Sequence, residues 1–181
     1  AIDSSLFFID IGSHYKNEKD NNSSSLNKES ATIIPEILEL LNKYEKVKDY
    51  SIGVITGYTA QFRELKKNIG KINSICKWNK TEDKLTVSVV DRFQGLERDI
   101  VIVDLVKSGA GLDLGFLEVP NRINVALSRQ KKLLIIVGDY HGIINAKTRR
   151  LKGEKAALQN YLELLKKDWI VKSEQLKGLF K

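Results

Sequence analysis

Methionine is absent from this 181-residue sequence, cysteine occurs once and histidine twice. The lone Cys76 excludes an internal disulfide framework, and with only His14 and His141 beside it, a zinc site of the usual cysteine and histidine type is excluded as well. An intracellular setting, cytoplasmic or nuclear, is the expectation. No uninterrupted apolar run approaches the roughly 20 residues that span a bilayer, and Ala1 to Leu6 lacks the basic start and cleavage pattern of a secretory signal, so no membrane partner is expected. Also missing are a phosphate loop closing on Gly-Lys-Ser or Gly-Lys-Thr, an Asp-Glu pair after an apolar strand, and the glycine fingerprint of dinucleotide folds, since the first strand ends on the lone Gly12. Opening on Ala1 and running directly into an apolar strand, the sequence is expected to be a piece of a larger chain.

What is present suffices for one full core, because 42% of the residues are hydrophobic. Thirty Lys and Arg against 23 Asp and Glu give a formal charge of +7 and a pI near 9.4. That balance is compatible with a polyanionic partner and requires none, since the basic residues are spread along the chain.

Short apolar runs recur at Leu6 to Ile11, Ser51 to Thr56, Leu85 to Val90, Ile100 to Val106 and Leu133 to Val137, each expected to be a strand buried on both faces. Ser13 to Ser25 is polar and reads as a mobile surface loop. Ile33, Ile37 and Leu41 predict a helix, with Pro35 in its first turn and a start near Thr32. A second helix follows Gly57 with a stripe of Phe62, Leu65 and Ile69. A third runs from about Pro120 to Arg129, a last one carries Leu158, Leu162 and Leu165, and Trp169 to Val171 is a candidate edge strand. Strands alternating with helices predict a single α/β domain, doubly wound, with a mainly parallel sheet and helices on both faces. Ligands of such sheets collect at the carboxyl ends of the strands, so the informative residues are expected just after each strand.

In NRINVALSRQKKLLIIVGD, Asn121 to Asp139, Arg122 and Arg129 are seven apart and return to nearly one face of a helix. A planar guanidinium suits phosphate oxygens, and a pair on a rigid helix would stabilise the charge on a transferring phosphoryl group. The plainer alternative is a solvated helix with these arginines paired to Glu118 and Asp113. In VVDRFQGLERDIVI, Val89 to Ile102, Gly95 lets backbone approach a ligand and Glu97 offers a carboxylate to a ribose hydroxyl; the alternative is a solvated charge cluster in an ordinary loop. In GVITGYTAQ, Gly53 to Gln61, a strand ending at Thr56 feeds a helix amino end, whose free donors and positive dipole end suit a phosphate. Tyr58, Phe62 and Phe93 are candidates for stacking on bases, although aromatics on apolar stripes are more often core, and core is the expectation for Phe62.

These three segments, in this order, resemble superfamily one helicases in the branch of the nonsense-mediated-decay helicase and senataxin. NVALSRQK is similar to the family's NVALTRAK, with Ser128 for threonine and Gln130 for alanine. VDRFQGLERD matches VDxFQGxExD at every fixed position, and GVITGYTAQ resembles GVITPYxxQ with Gly57 in place of proline, which would loosen the turn. LNKESATIIPEILELL is similar to a helix start in which Asn27 and Glu29 are structural. The resemblance covers nearly the whole chain.

The resemblance implies the C-terminal RecA-like domain of an ATP-dependent helicase. It implies that Arg129 is an arginine finger, that Gly95, Glu97 and Arg122 join it in binding ATP, and that Thr56, Gly57, Tyr58, Val89, Asp91, Arg92 and Asn124 line a groove for single-stranded DNA or RNA. ATP and Mg2+ would be held mostly by the N-terminal RecA-like domain of the same chain, which lies outside this sequence, so this domain alone is expected to be inactive. No metal is expected on it. The competing reading is a non-catalytic RecA-like module that binds nucleic acid or a protein partner.

Overall fold

The computed structural model describes residues 5–14, 18–75, 84–109 and 111–176; Cys76 lies outside them. The main sheet is built from β1 (Leu6–Asp10), β4 (Ile52–Thr56), β5 (Leu85–Val89), β6 (Arg98–Asp104), β7 (Gln130–Gly138) and β8 (Ile170–Lys172). Their order is β5-β4-β6-β7-β1-β8, and every neighbouring pair is parallel. The apolar runs cause this arrangement, because a strand buried on both faces can be apolar at every position. Ile100 and Ile102 point to one face of the sheet and Val101 and Val103 to the other. The first face is covered by α1 (Lys28–Asn42) and α2 (Thr59–Ile69). The second is covered by α3 (Val90–Phe93), α4 (Pro120–Leu127), α5 (Tyr140–Ile144) and α6 (Ala157–Glu163). This is the α/β doubly wound arrangement that the alternation of strands and helices predicts, and it is consistent with the RecA-like fold that the resemblance implies. No helix of the described residues is long and apolar enough to cross a membrane.

Several boundaries differ from the sequence expectation, each for a stated reason. Helix α1 starts at Lys28, four residues before Thr32, so Pro35 lies inside the helix and not in its first turn. Asn27 makes this possible: its side-chain oxygen accepts from the amides of Glu29 and Ser30 at 3.0 and 3.1 Å. In α2 the buried stripe is Ala60, Gln61, Leu65 and Ile69, whereas Phe62 is half-exposed beneath Lys66 and is not core. Gln61 turns inward because polar partners wait for it there. Helix α4 ends at Leu127, so Arg129 belongs to the lead-in of β7 and no longer shares a helical face with Arg122. The polar stretch after Gly12 contains a small antiparallel ribbon, β2 (Glu18–Lys19) with β3 (Ser25–Leu26). Asp20 organises its turn by accepting from the amides of Asn22 and Ser24, and the Ser24 hydroxyl accepts from the Ala60 amide at the start of α2.

Candidate functional site

The candidate residues divide between opposite ends of the sheet, which the sequence expectation of carboxyl-end ligands did not foresee for Arg129, Gly95 and Glu97. Those three precede β7 and β6 and therefore stand at the amino end. The Arg98 amide donates to the Arg129 carbonyl at 3.0 Å, which brings the Gly95–Glu97 loop beside Arg129. Gly95 has a φ of +84° and open space where a Cβ would stand, so the turn itself demands the glycine. Glu97 is exposed and lies 3.9 Å from Lys131. The Arg129 guanidinium is half-buried, and its Nε is fully shielded from solvent without a hydrogen-bond partner among the described residues. Arg98 Nε and Gln130 Oε1 share that condition, although the other guanidinium nitrogens of Arg98 reach the Glu97 carbonyl and the Thr86 hydroxyl. Polar atoms buried without partners are uncommon and costly, at about 1–3 kcal/mol each, so three in neighbouring strand lead-ins mark an unfinished surface.

Thr56, Gly57, Tyr58, Val89 and Asp91 gather at the carboxyl end, where Thr56 is in register with Val89 on one side and Asp104 on the other. Thr56 is buried, and its hydroxyl accepts from the Tyr58 amide at 3.4 Å. A Cβ on Gly57 would stand 2.5 Å from the Phe116 ring, so any other residue here would displace that ring. Phe116 meets Tyr58 edge-on with ring centres 5.8 Å apart, Arg122 lies over Phe116, and Lys107 lies over Tyr58. A ladder of cation, two rings and cation results. Burial pushes the Tyr58 hydroxyl above its ordinary pKa. Arg122 also pairs with Asp91 at 3.2 Å, and not with Glu118 or Asp113, so its side chain is held within this cluster and apart from Arg129. Arg92 and Asn124 are exposed. Phe93 is core: it fills the space over Gly53, where a Cβ would stand 2.6 Å from the ring.

Three carboxylates close the strands at this same end. Asp10 accepts from the amides of Gly12 and Tyr140 and from Lys172. Asp139 accepts from the Ser13 hydroxyl and the amides of Gly109 and Gly142. Asp104 accepts from Ser30, Gln61 and the Val106 amide, and burial pushes its pKa up to about 7 against the pull of those donors. Among the described residues no group of three or more histidine, cysteine or acidic side chains could hold a metal ion.

A family model described as an AAA domain matches residues 2–141. The chain belongs to that family. Relatives of this AAA domain include DNA polymerase alpha-associated DNA helicase A of Saccharomyces cerevisiae, 36% identical over 132 residues, which are 71% of this chain and 18% of the relative. Regulator of nonsense transcripts 1 of Caenorhabditis elegans is 36% identical over 64% of this chain and 11% of its own length. Helicase sen1 of Schizosaccharomyces pombe is 36% identical over 68% of this chain and 7% of its own length. The chain thus spans less than a fifth of each of these relatives. The AAA domain match takes in both ends of the sheet as far as β7 and stops before α6 and β8.

Sequence reading missed Lys107, Phe116, Gln130 and Asp104 as members of these clusters. Lys107 and Asp104 had a signal, since they stand at the end of β6 where informative residues were expected. Phe116 and Gln130 had none, because their importance lies in contacts made across the fold.

Proposed function

We propose that this AAA domain is the C-terminal RecA-like motor lobe of a superfamily one ATP-dependent nucleic-acid helicase, of the branch of the nonsense-mediated-decay helicase and senataxin. In this reading Arg129 is the arginine finger, and Gly95 and Glu97 help to seat the nucleotide. The observation that carries it is Arg129, half-buried at the amino end of β7 beside the Gly95–Glu97 loop, with its Nε shielded from solvent and without a partner among the described residues. A cation held in place yet unpaired costs stability unless a partner from outside supplies the negative charge. Triphosphate bound to an N-terminal lobe would do so. Mg2+ is assigned to that lobe, because the buried carboxylates Asp10, Asp104 and Asp139 are already saturated by donors of this chain.

Single-stranded DNA or RNA is assigned to the other end of the sheet, around Thr56, Gly57, Tyr58, Val89, Asp91 and Arg92; Asn124 lines a hollow with Ser128, Ala157 and Tyr161 and stands apart from them. The burial of Thr56 favours backbone and ring contacts there over its hydroxyl. Arg122 goes with this cluster through Asp91 and Phe116. Loss of the γ-phosphate would remove the contact that favours closure of the two lobes, and the strand would be passed from one lobe to the other as they part.

In the intact protein, Arg129→Ala is expected to lower kcat for ATP hydrolysis about 10³- to 10⁵-fold while leaving affinity for single strands unchanged. Robust ATPase activity of the 181 residues alone, lost on the same substitution, would contradict the assignment of a half-motor.

A further inference from the structure

Strand β6 ends at Asp104, and the chain then makes an abrupt turn. Val106 has a φ of +67°, a left-handed conformation that a β-branched side chain adopts only under constraint. The constraint is visible. The Val106 amide donates to Asp104, its carbonyl accepts from Asn27, and the Lys107 amide donates to the Leu105 carbonyl at 2.7 Å. The turn lays the Lys107 stem in the fold, leaving the residue 8% exposed.

The Lys107 ammonium lies 5.6 Å from the centre of the Tyr58 ring, and a Cβ on Gly115 would stand 3.9 Å from it. It has no hydrogen bond and no ion pair among the described residues. Asp113, the acidic neighbour, is engaged by the Gly115 amide and by Arg149. Burial lowers the pKa of the amine, Asp113 opposes that shift, and Lys19 and Arg149 add to it. Tyr58, the ring beside this ammonium, is also the cap of the 11-residue helix α2 and gives it no side-chain hydrogen bond; the Ala60 amide is taken by Ser24, and the positive end of the helix dipole adds to the charge of the lysine. A lysine 8% exposed, set beside a helix start and making no ion pair or hydrogen bond among the described residues, is an anion seat.

We infer that Lys107, together with the Gly57–Tyr58 start of α2, grips a phosphodiester of the single strand. The assignment rests on the proposed strand groove and adds to it a residue fixed by a strained turn, in contrast to a swinging surface lysine. One charged contact of this kind is read in the salt dependence of binding, because each neutralised phosphate of a single strand contributes about 0.7 to the slope of log K against log salt.

The test measures binding of fluorescent oligothymidylate and oligouridylate to the full 181-residue chain across a salt series. Lys107→Met, which keeps the buried stem, is expected to make the slope shallower by about 0.7 on both oligonucleotides, and Lys107→Arg to restore it. Binding by the wild-type chain with an unaltered slope in the methionine variant overturns the role of Lys107; no binding by the wild-type chain overturns the strand groove itself. A footprint on the wild-type chain keeps the question open to refutation if the variants misfold. Acetylation of Lys107 is expected to be slowed several-fold by saturating oligonucleotide and not by inorganic phosphate at equal ionic strength. Equal labelling with and without oligonucleotide, or equal protection by phosphate, overturns the phosphodiester assignment.

Discussion

At the carboxyl end of the sheet, strands β1, β6 and β7 close on Asp10, Asp104 and Asp139, and every one of these carboxylates is occupied by donors of the same chain. At the amino end, β6 begins with Arg98 and β7 with Gln130, preceded by Arg129, and each of the three keeps a buried atom without a partner among the described residues. The difference separates scaffold from contact surface. Folding alone satisfies these carboxylates, which fix loop geometry and present the Tyr58–Phe116 ladder. The second end gathers three buried atoms without partners among the described residues, against the single Tyr58 hydroxyl at the first.

The segment joining the two ends gives the strongest way to break this division. Phe93 is fully buried over Gly53, and its removal empties the space beneath the Gly95–Glu97 loop. Phe93→Ala is expected to cost about 3–5 kcal/mol in a denaturant titration and to degrade any nucleotide response with it. A loss under 1 kcal/mol would mean that the loop is held by other contacts.

Asp104 tests the scaffold end through pH. Its folded pKa, near 7, exceeds the ordinary carboxylate value, so between about pH 4 and 7 the folded state holds a proton that the unfolded state has released. Stability from this group is therefore full at low pH and falls as pH rises, by at most about 1.4 kcal/mol per pH unit. The hydrogen bonds agree: the single hydroxyl hydrogen of Ser30 has both the Asn27 carbonyl and Asp104 within reach, and a protonated Asp104 resolves the competition by donating to Ser30. Asp104→Asn should flatten the difference between unfolding free energies measured at pH 5 and pH 7. Parallel curves for the two proteins would remove the buried carboxyl from the account.

The smallest effect is expected where exposure is greatest. Arg122 and Asp91 are both about half-exposed, so Arg122→Ala should change stability by no more than about 0.5 kcal/mol, in spite of its ion pair. A larger loss would show that stacking on Phe116, and not charge, is what holds the ladder.

Much of the fold was legible in the sequence. Val and Ile runs announce strands because both faces of a parallel sheet are apolar, and the alternation with helices leaves few other architectures. Strand ends were less legible: β7 begins at Gln130 and passes through exposed Lys131 and Lys132, which give no apolar signal. Helix α1 was placed late because its cap, Asn27, is secured by Gln61 and Ser108, partners distant in sequence. The three motif segments supply residues that stand at the ends of the sheet. Their division between opposite ends was hidden, since it depends on how far α3 carries the chain across the sheet.

Eight residues, 90–97, lead from the last residue of β5 past β4 to the first of β6. Six residue steps along β6 and two strand spacings across put those points about 20 Å apart. One helical turn, the turn at Gly95 and a few extended residues measure about the same. The connector therefore behaves as a taut strap pinned at its middle by Phe93, and a displacement at either end of it must be passed on to the other or absorbed by unpacking that ring.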